Sequence, residues 1–131
     1  MARYGRALHG RALRRALERE PAVAARINEP FEHVDVLVMP TVAQAAEPVG
    51  ASRKAGAART FNRGGPYVGY TAPWNYTGQP AAAVPAGFDD DGMPLSVQLV
   101  VCPDEDPTLV SLAAQLERAR PSSDARPAAA R

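Results

Sequence analysis

Ser52 and Lys54, in the run "SRK", bring the only lysine of the chain beside one of its five serines. Acyl transfer needs a nucleophile within reach of a base, and donors for the oxyanion that develops. A two-residue spacing would set both side chains on one side of an extended chain, but the small and polar residues around them read as a loop. Two carboxylate triplets offer the other chemistry of interest. Asp89, Asp90 and Asp91 read as an acidic turn, and Asp104, Glu105 and Asp106 lead into a helix start, where the dipole alone favours negative charge. Cys102 is the single cysteine, so no disulfide forms within the chain, and with only His9 and His33 beside it no zinc-type spacing exists. "NYT", Asn75 to Thr77, matches a glycosylation acceptor, yet nothing else in the sequence points to a secretory route. Read from the residues alone, the chain has no catalytic centre, no metal site and no cofactor site.

The densest concentration of unusual residues is "YTAPWNYTGQPAAAVPAGF", residues 70–88. Tyr67, Tyr70, Trp74 and Tyr76 are half of the eight aromatic residues, gathered within ten positions. Tyr67, Tyr70 and Trp74 have two readings: rings that cover a sheet, or rings that wall a substrate pocket. Their position in the sequence does not choose between them.

The elements that must position these groups follow from periodicity. Residues 2–20 read as an amphipathic helix, with Arg11, Arg14, Arg15 and Glu18 on a solvated face opposite Tyr4, Leu8, Ala12, Leu13 and Leu17. This face accounts for the early arginines better than a transit peptide or a nucleic-acid arm does. Pro21 is expected to break or restart the helix, which then ends near Pro30. "VDVLVMP", 34–40, is aliphatic without alternation and is expected to be a strand covered on both faces, as in a parallel or mixed sheet. Residues 41–65 show no sustained period and read as a long loop or site-rim segment. Ala81 to Phe88 and Leu95 to Val101 form a hairpin joined by "DDDGMP", with Gly92 free to take positive φ. Pro85 cannot donate to a ladder, so its strand should carry a bulge or an open edge. "DPTLVSLAAQLERARP" then gives a last helix, with Asp106 at its N-cap, Leu109, Leu112, Ala113 and Leu116 as the apolar stripe, and Pro121 as its stop. Residues 120–131 read as a disordered tail. The sum is an α/β fold with about three strands and two to three helices.

Bulk properties narrow the partners. Fifteen basic and fourteen acidic side chains leave a net charge of +1, which gives no electrostatic reason to expect nucleic acid or an anionic membrane. No apolar run approaches the roughly 18 residues of a membrane span, and the amino terminus lacks the apolar core of a secretory signal. A reduced, cytoplasmic setting is the expectation. Hydrophobic residues make up 46% of the chain, but 26 alanines supply much of that share, so the core should be thin.

The run "APWNYTGQPAAAVPAGFDDDGMPLSVQLV", continued by "EDPTLVSLAAQLE", resembles the carboxy-terminal segment of the amidase signature family of hydrolases. Asn75, Gly78, Pro80, Val84, Pro85, Gly87, Gly92, Pro94, Gln98, Leu109, Ala113 and Glu117 match the family pattern in order and spacing, and "VDVLVMPT" is similar to an earlier family strand. The resemblance covers roughly residues 1–119. Departures fall at Ser96 and Val101, where the family often has glycine, at Ala83, where it has serine, and at Asp106, where it has glutamate. The resemblance implies a partial amidase-like fold, with Asn75, Gly78, Pro80, Pro85, Gly87, Gly92 and Gln98 as structural motif residues and Tyr67, Tyr70 and Trp74 as candidate pocket wall.

By the same resemblance, the complete enzyme would cleave a carboxamide without metal or organic cofactor. Its nucleophilic serine, cis-peptide serine and lysine base would lie in a glycine- and serine-rich segment that this chain does not contain, so the chain alone is expected to be inactive. The expected partner is a missing amino-terminal half or a second copy, and a small amide would bind only to the complete enzyme. The alternative is a non-catalytic scaffold or interaction module, or part of a subunit in an amidotransferase-type complex.

Overall fold

A computed structural model describes residues 10–122. In chain order the elements are α1 (Arg11–Asn28), a 3-10 turn (Glu29–Glu32), β1 (Val36–Pro40), α2 (Ala57–Val68), α3 (Ala72–Thr77), β2 (Ala81–Phe88), β3 (Pro94–Val101) and α4 (Asp106–Ala119). The class is α/β, with one three-stranded sheet in the order β1-β3-β2. Both pairings are antiparallel, so β1 does not lie in the parallel or mixed sheet that its unbroken aliphatic run suggested.

β3 is the central strand, and its residues alternate between two environments. Leu99 and Val101 point to one side, where they form the core with Leu109 of α4. Val36, Ala82, Val84 and Leu112 pack around this group. Gln98 and Ser96 project to the opposite side, where Gln98 is 4% exposed and Ser96 Oγ donates to Thr41 Oγ1 at 2.9 Å. Val100 is fully buried. The core is as thin as the alanine content implied: five hydrophobic residues among those described are buried, three of them in consecutive positions of β3.

The hairpin follows from local chemistry. Asp89 Oδ1 accepts the backbone N–H groups of Asp91 (3.0 Å) and Met93 (2.8 Å). Gly92 takes φ 77°, a conformation that costs glycine little and a side-chain-bearing residue more. The acidic triplet is thus a turn device. Within β2 the register shifts between Pro85 and Gly87, leaving Ala86 as an extra residue. Val101 N donates to Pro80 O, so the bonded pairs of this ladder fall at Pro80, Ala82 and Val84, and the nitrogen of Pro85, just before the bulge, faces the open edge where no donor is needed.

Several boundaries differ from the sequence reading. Pro21 lies inside α1, which runs unbroken to Asn28 before the 3-10 turn; residues 2–9 of the expected 2–20 helix lie outside the described residues. The 41–65 segment is a loop only as far as Gly56, because α2 begins at Ala57. Its period is hard to read because Gly64, Gly65 and Pro66, all poor helix formers, fall in its second half. The N-cap of α4 is Glu105, one residue before the expected Asp106. β1 is not covered on both faces: it is an edge strand, and Val38 is 64% exposed. An aliphatic run records burial somewhere, but here only Val36 on that face packs on the core and Val38 is left exposed. The expected tail lies outside the described residues from position 123 onward.

Candidate functional site

The aromatic segment does not form one cluster. Its residues are divided among three local jobs. Tyr67, near the end of α2, donates its hydroxyl to Ala45 O at 3.2 Å. On the same helix Arg63 pairs with Glu47 (3.1 Å) and donates to Ala51 O (3.4 Å). Together they hold the 41–56 loop against α2. Tyr70 follows in the turn between α2 and α3, with its side chain exposed and its carbonyl accepting Gln98 Nε2 at 3.0 Å. This bond satisfies a buried amide that would otherwise be costly at the centre of the sheet.

Trp74 is the buried ring. It meets Phe31 of the 3-10 turn edge-to-face, with ring centroids 6.4 Å apart and planes at 74°, a geometry favoured by the ring quadrupoles. Its Nε1 is buried without a hydrogen-bond partner among the described residues. Tyr76 lies two residues on, facing solvent. Its pKa is raised, chiefly by desolvation and further by the negative charge of Glu20 on α1.

Asn75 and Gly78 are placed by α3. Asn75 Nδ2 donates back to Thr71 O at 3.1 Å. Gly78 closes the helix with φ 78° and ψ 16°, and its N–H donates to Trp74 O at 2.8 Å. A Cβ at this position would meet nothing within 4 Å, so the demand for glycine is conformational and not one of close approach. Pro80 leads into β2, and its carbonyl accepts the N–H of Val101 at 3.2 Å.

The residue that the sequence reading passed over is Gln79, 6% exposed. Its amide joins Asn28 at the end of α1 to Thr77 in α3, donating to Asn28 Oδ1 and accepting from Thr77 Oγ1. Thr77 Oγ1 also lies 3.0 Å from Pro73 O. A polar residue between an αL glycine and a strand-initiating proline looks like turn chemistry in sequence. Its long-range partner, 51 positions away, leaves no local signal.

Ser52 and Lys54 do not form a nucleophile-base pair. They sit in a run of turns in which Ala55 N donates to Ser52 O at 3.0 Å, and among the described residues no hydrogen bond joins the two side chains. The extended geometry that would align them is not adopted. Among the described residues, no group of three His, Cys, Asp or Glu side chains has the arrangement to hold a metal ion. A cleft of about 410 Å³ opens beside Phe31, bounded also by Ala25, Asn28, Glu29, Glu32 and Cys102; these residues supply carboxylates and a thiol but no hydroxyl nucleophile. Among the described residues no helix is long and apolar enough to cross a membrane.

The arrangement is a three-stranded sheet with a helix on one face and a hydrogen-bonded aromatic segment on the other. Residues 2–110 match the sequence profile of the amidase family. The chain belongs to that family. It is 42% identical over 127 residues to a protein of Mycobacterium tuberculosis named "Putative amidase AmiB2", a match that takes in 97% of this chain and 28% of that protein. The 6-aminohexanoate-cyclic-dimer hydrolase of Paenarthrobacter ureafaciens is 34% identical over 100 residues, covering 71% of this chain and 20% of the relative. A solved structure of a 6-aminohexanoate cyclic dimer hydrolase superposes with a TM-score of 0.76 at 28% identity, over 94% of this chain and 27% of that one. The chain therefore spans between a fifth and little more than a quarter of the length of these relatives.

Proposed function

We propose that this chain is the carboxy-terminal portion of an amidase-type hydrolase and that it supplies scaffold and part of the acyl pocket, while the reacting groups come from the rest of the domain. The observation that carries the reading is the pairing of full coverage with partial span: nearly the whole chain aligns within family members that are several times longer. In the complete enzyme a lysine deprotonates a bridging serine, that serine takes the proton of the nucleophile, and the nucleophile adds to the carboxamide carbonyl. Backbone N–H groups hold the oxyanion until the C–N bond breaks and the amine leaves with a proton. None of these side chains is assigned within this sequence.

Tyr70 is the member of the aromatic group best suited to a pocket wall. Its ring is exposed, and its backbone is anchored to the buried Gln98, so the ring is held in place yet free to meet a ligand. Tyr67 supports that wall from α2 and Trp74 from α3. The reading as an independent scaffold module is not favoured, since the relatives matched over most of this chain bear the names of amidases and an amide hydrolase.

The purified chain should hydrolyse simple aliphatic and aryl amides no faster than the uncatalysed reaction. Loss of a whole triad costs on the order of a millionfold in serine hydrolases. Turnover that disappears on Ser52→Ala or Lys54→Ala would overturn the proposal and return the chemistry to the 49–55 turns.

A further inference from the structure

A closed circuit of hydrogen bonds ties the polar face of β3 to the turn that carries Tyr70. It begins at Ser96 and Gln98, which share that face about 7 Å apart. Gln98, 4% exposed, donates through Nε2 to Tyr70 O at 3.0 Å. Ser96 Oγ donates to Thr41 Oγ1 at 2.9 Å, and Ser96 O accepts the N–H of Thr41 at 3.5 Å, so the 41–56 loop leaves the sheet from a doubly held residue. The loop then runs to α2, where Tyr67 holds Ala45 and Arg63 holds Glu47 and Ala51. α2 ends at Val68, Tyr70 follows in the turn, and its carbonyl closes the circuit on Gln98. None of these ties uses the Tyr70 ring, which is 41% exposed.

We propose that Gln98 and Ser96 are positioning residues for amide hydrolysis: through this circuit they fix where the Tyr70 ring stands, and the ring then discriminates among acyl groups by the flat apolar surface it offers. The inference rests on the reading of Tyr70 as a wall of the acyl pocket. The ties are not equal in strength. Gln98 is a buried donor, and the Tyr70 carbonyl, deprived of it, would have to turn away from the sheet to find another partner. The pair of Arg63 with Glu47 lies at the surface, where solvent screens it and water competes for its groups. Gln98 therefore carries most of the positioning. Ser96 carries less, because Thr41 is also held through its own N–H.

One experiment uses the full chain with carbon-13-labelled tyrosine. In Gln98→Glu the new carboxyl donates to Tyr70 O only while protonated, and burial raises its pKa. The Tyr70 ring signals should then move with a midpoint above the usual carboxylate range, a transition absent from the parent. Gln98→Met, which removes the donor and keeps the volume, should leave them displaced at every pH. Tyr70 signals that match the parent in Gln98→Met, or that ignore the titration in Gln98→Glu, overturn the circuit whatever the chain's activity. The second experiment places the chain in the Mycobacterium tuberculosis relative in place of the matched 28%, with phenylacetamide and propionamide as probes. Gln98→Met should raise KM for phenylacetamide about tenfold with kcat within about twofold, and Ser96→Ala should raise it about threefold, with recovery in Ser96→Thr. Propionamide, whose two-carbon chain offers the ring little surface, should stay within about twofold in KM. Equal changes for both amides, or a fall in kcat, overturn the proposal and leave the reading of the chain as an amidase portion standing. A folded chimera with no turnover where the intact relative has it overturns that reading and the proposal with it.

Discussion

The hairpin of β2 and β3 with α4 and the region of α1 with β1 use the same kind of sequence and reach opposite states. In the first, Leu99, Val100, Val101 and Leu109 are all 6% exposed or less. In the second, α1 has no buried residue, and its apolar positions Leu13, Leu17 and Val23 are 47%, 57% and 44% exposed. Both helices are amphipathic. α4 finds a sheet for its stripe, whereas α1 makes its main contacts with the 3-10 turn and α3. Amphipathicity specifies which face wants burial and says nothing about whether a partner is at hand.

The comparison is most easily broken in the core. Leu99→Ala should cost about 2–5 kcal/mol, through lost transfer energy and the cavity left behind, enough to unfold a chain with so small a core. Leu17→Ala should stay within about 0.5 kcal/mol, as for other exposed positions. Urea midpoints measure both, and equal effects would mean that α1 is packed in solution.

A next step sharpens the link between the regions. Gly78→Val should destabilise by about 1–3 kcal/mol, because a β-branched residue is strained at φ 78° whatever space surrounds it. Ser52→Ala should be nearly silent. Coincident urea midpoints for these two variants would show that the turn after α3 does not depend on its left-handed residue.

Gln79→Ala should cost about 1–3 kcal/mol by leaving the side chains of Asn28 and Thr77 without their shared partner. It should also raise hydrogen exchange at the end of α1 more than in β3. Uniform exchange in both regions would remove Gln79 as the tie between them.

The smallest effect lies at the end of α4. Glu117 has its pKa lowered first by the backbone N–H of Ser122 and then by the Ser122 hydroxyl, at 2.9 Å each. A carboxylate depressed on folding contributes stability that is present above its unfolded value and is lost as pH falls through the folded one. Ser122→Ala should therefore move the Glu117 titration midpoint upward, seen by carboxyl-carbon NMR, but only part of the way, since the backbone donor remains. An unmoved midpoint would detach the hydroxyl from this cap.

The parts legible in the sequence were those decided by neighbours in the chain. Gly92 and the Asp89 turn fix the hairpin, Pro85 marks the bulge, and the leucine spacing of α4 selects the face that meets Leu99 and Val101, because backbone conformation and side-chain period are local properties. The family pattern was legible for the same reason: turns and caps are written in contiguous residues. What the tertiary structure alone decided was pairing and exposure. It placed β1 antiparallel at an edge with Val38 in solvent, drew Gln98 to the Tyr70 carbonyl, and joined Gln79 to Asn28 across 51 positions. Such contacts depend on which segments converge in space, and the chemistry of a buried amide is the same in sequence whether its partner lies two residues away or fifty.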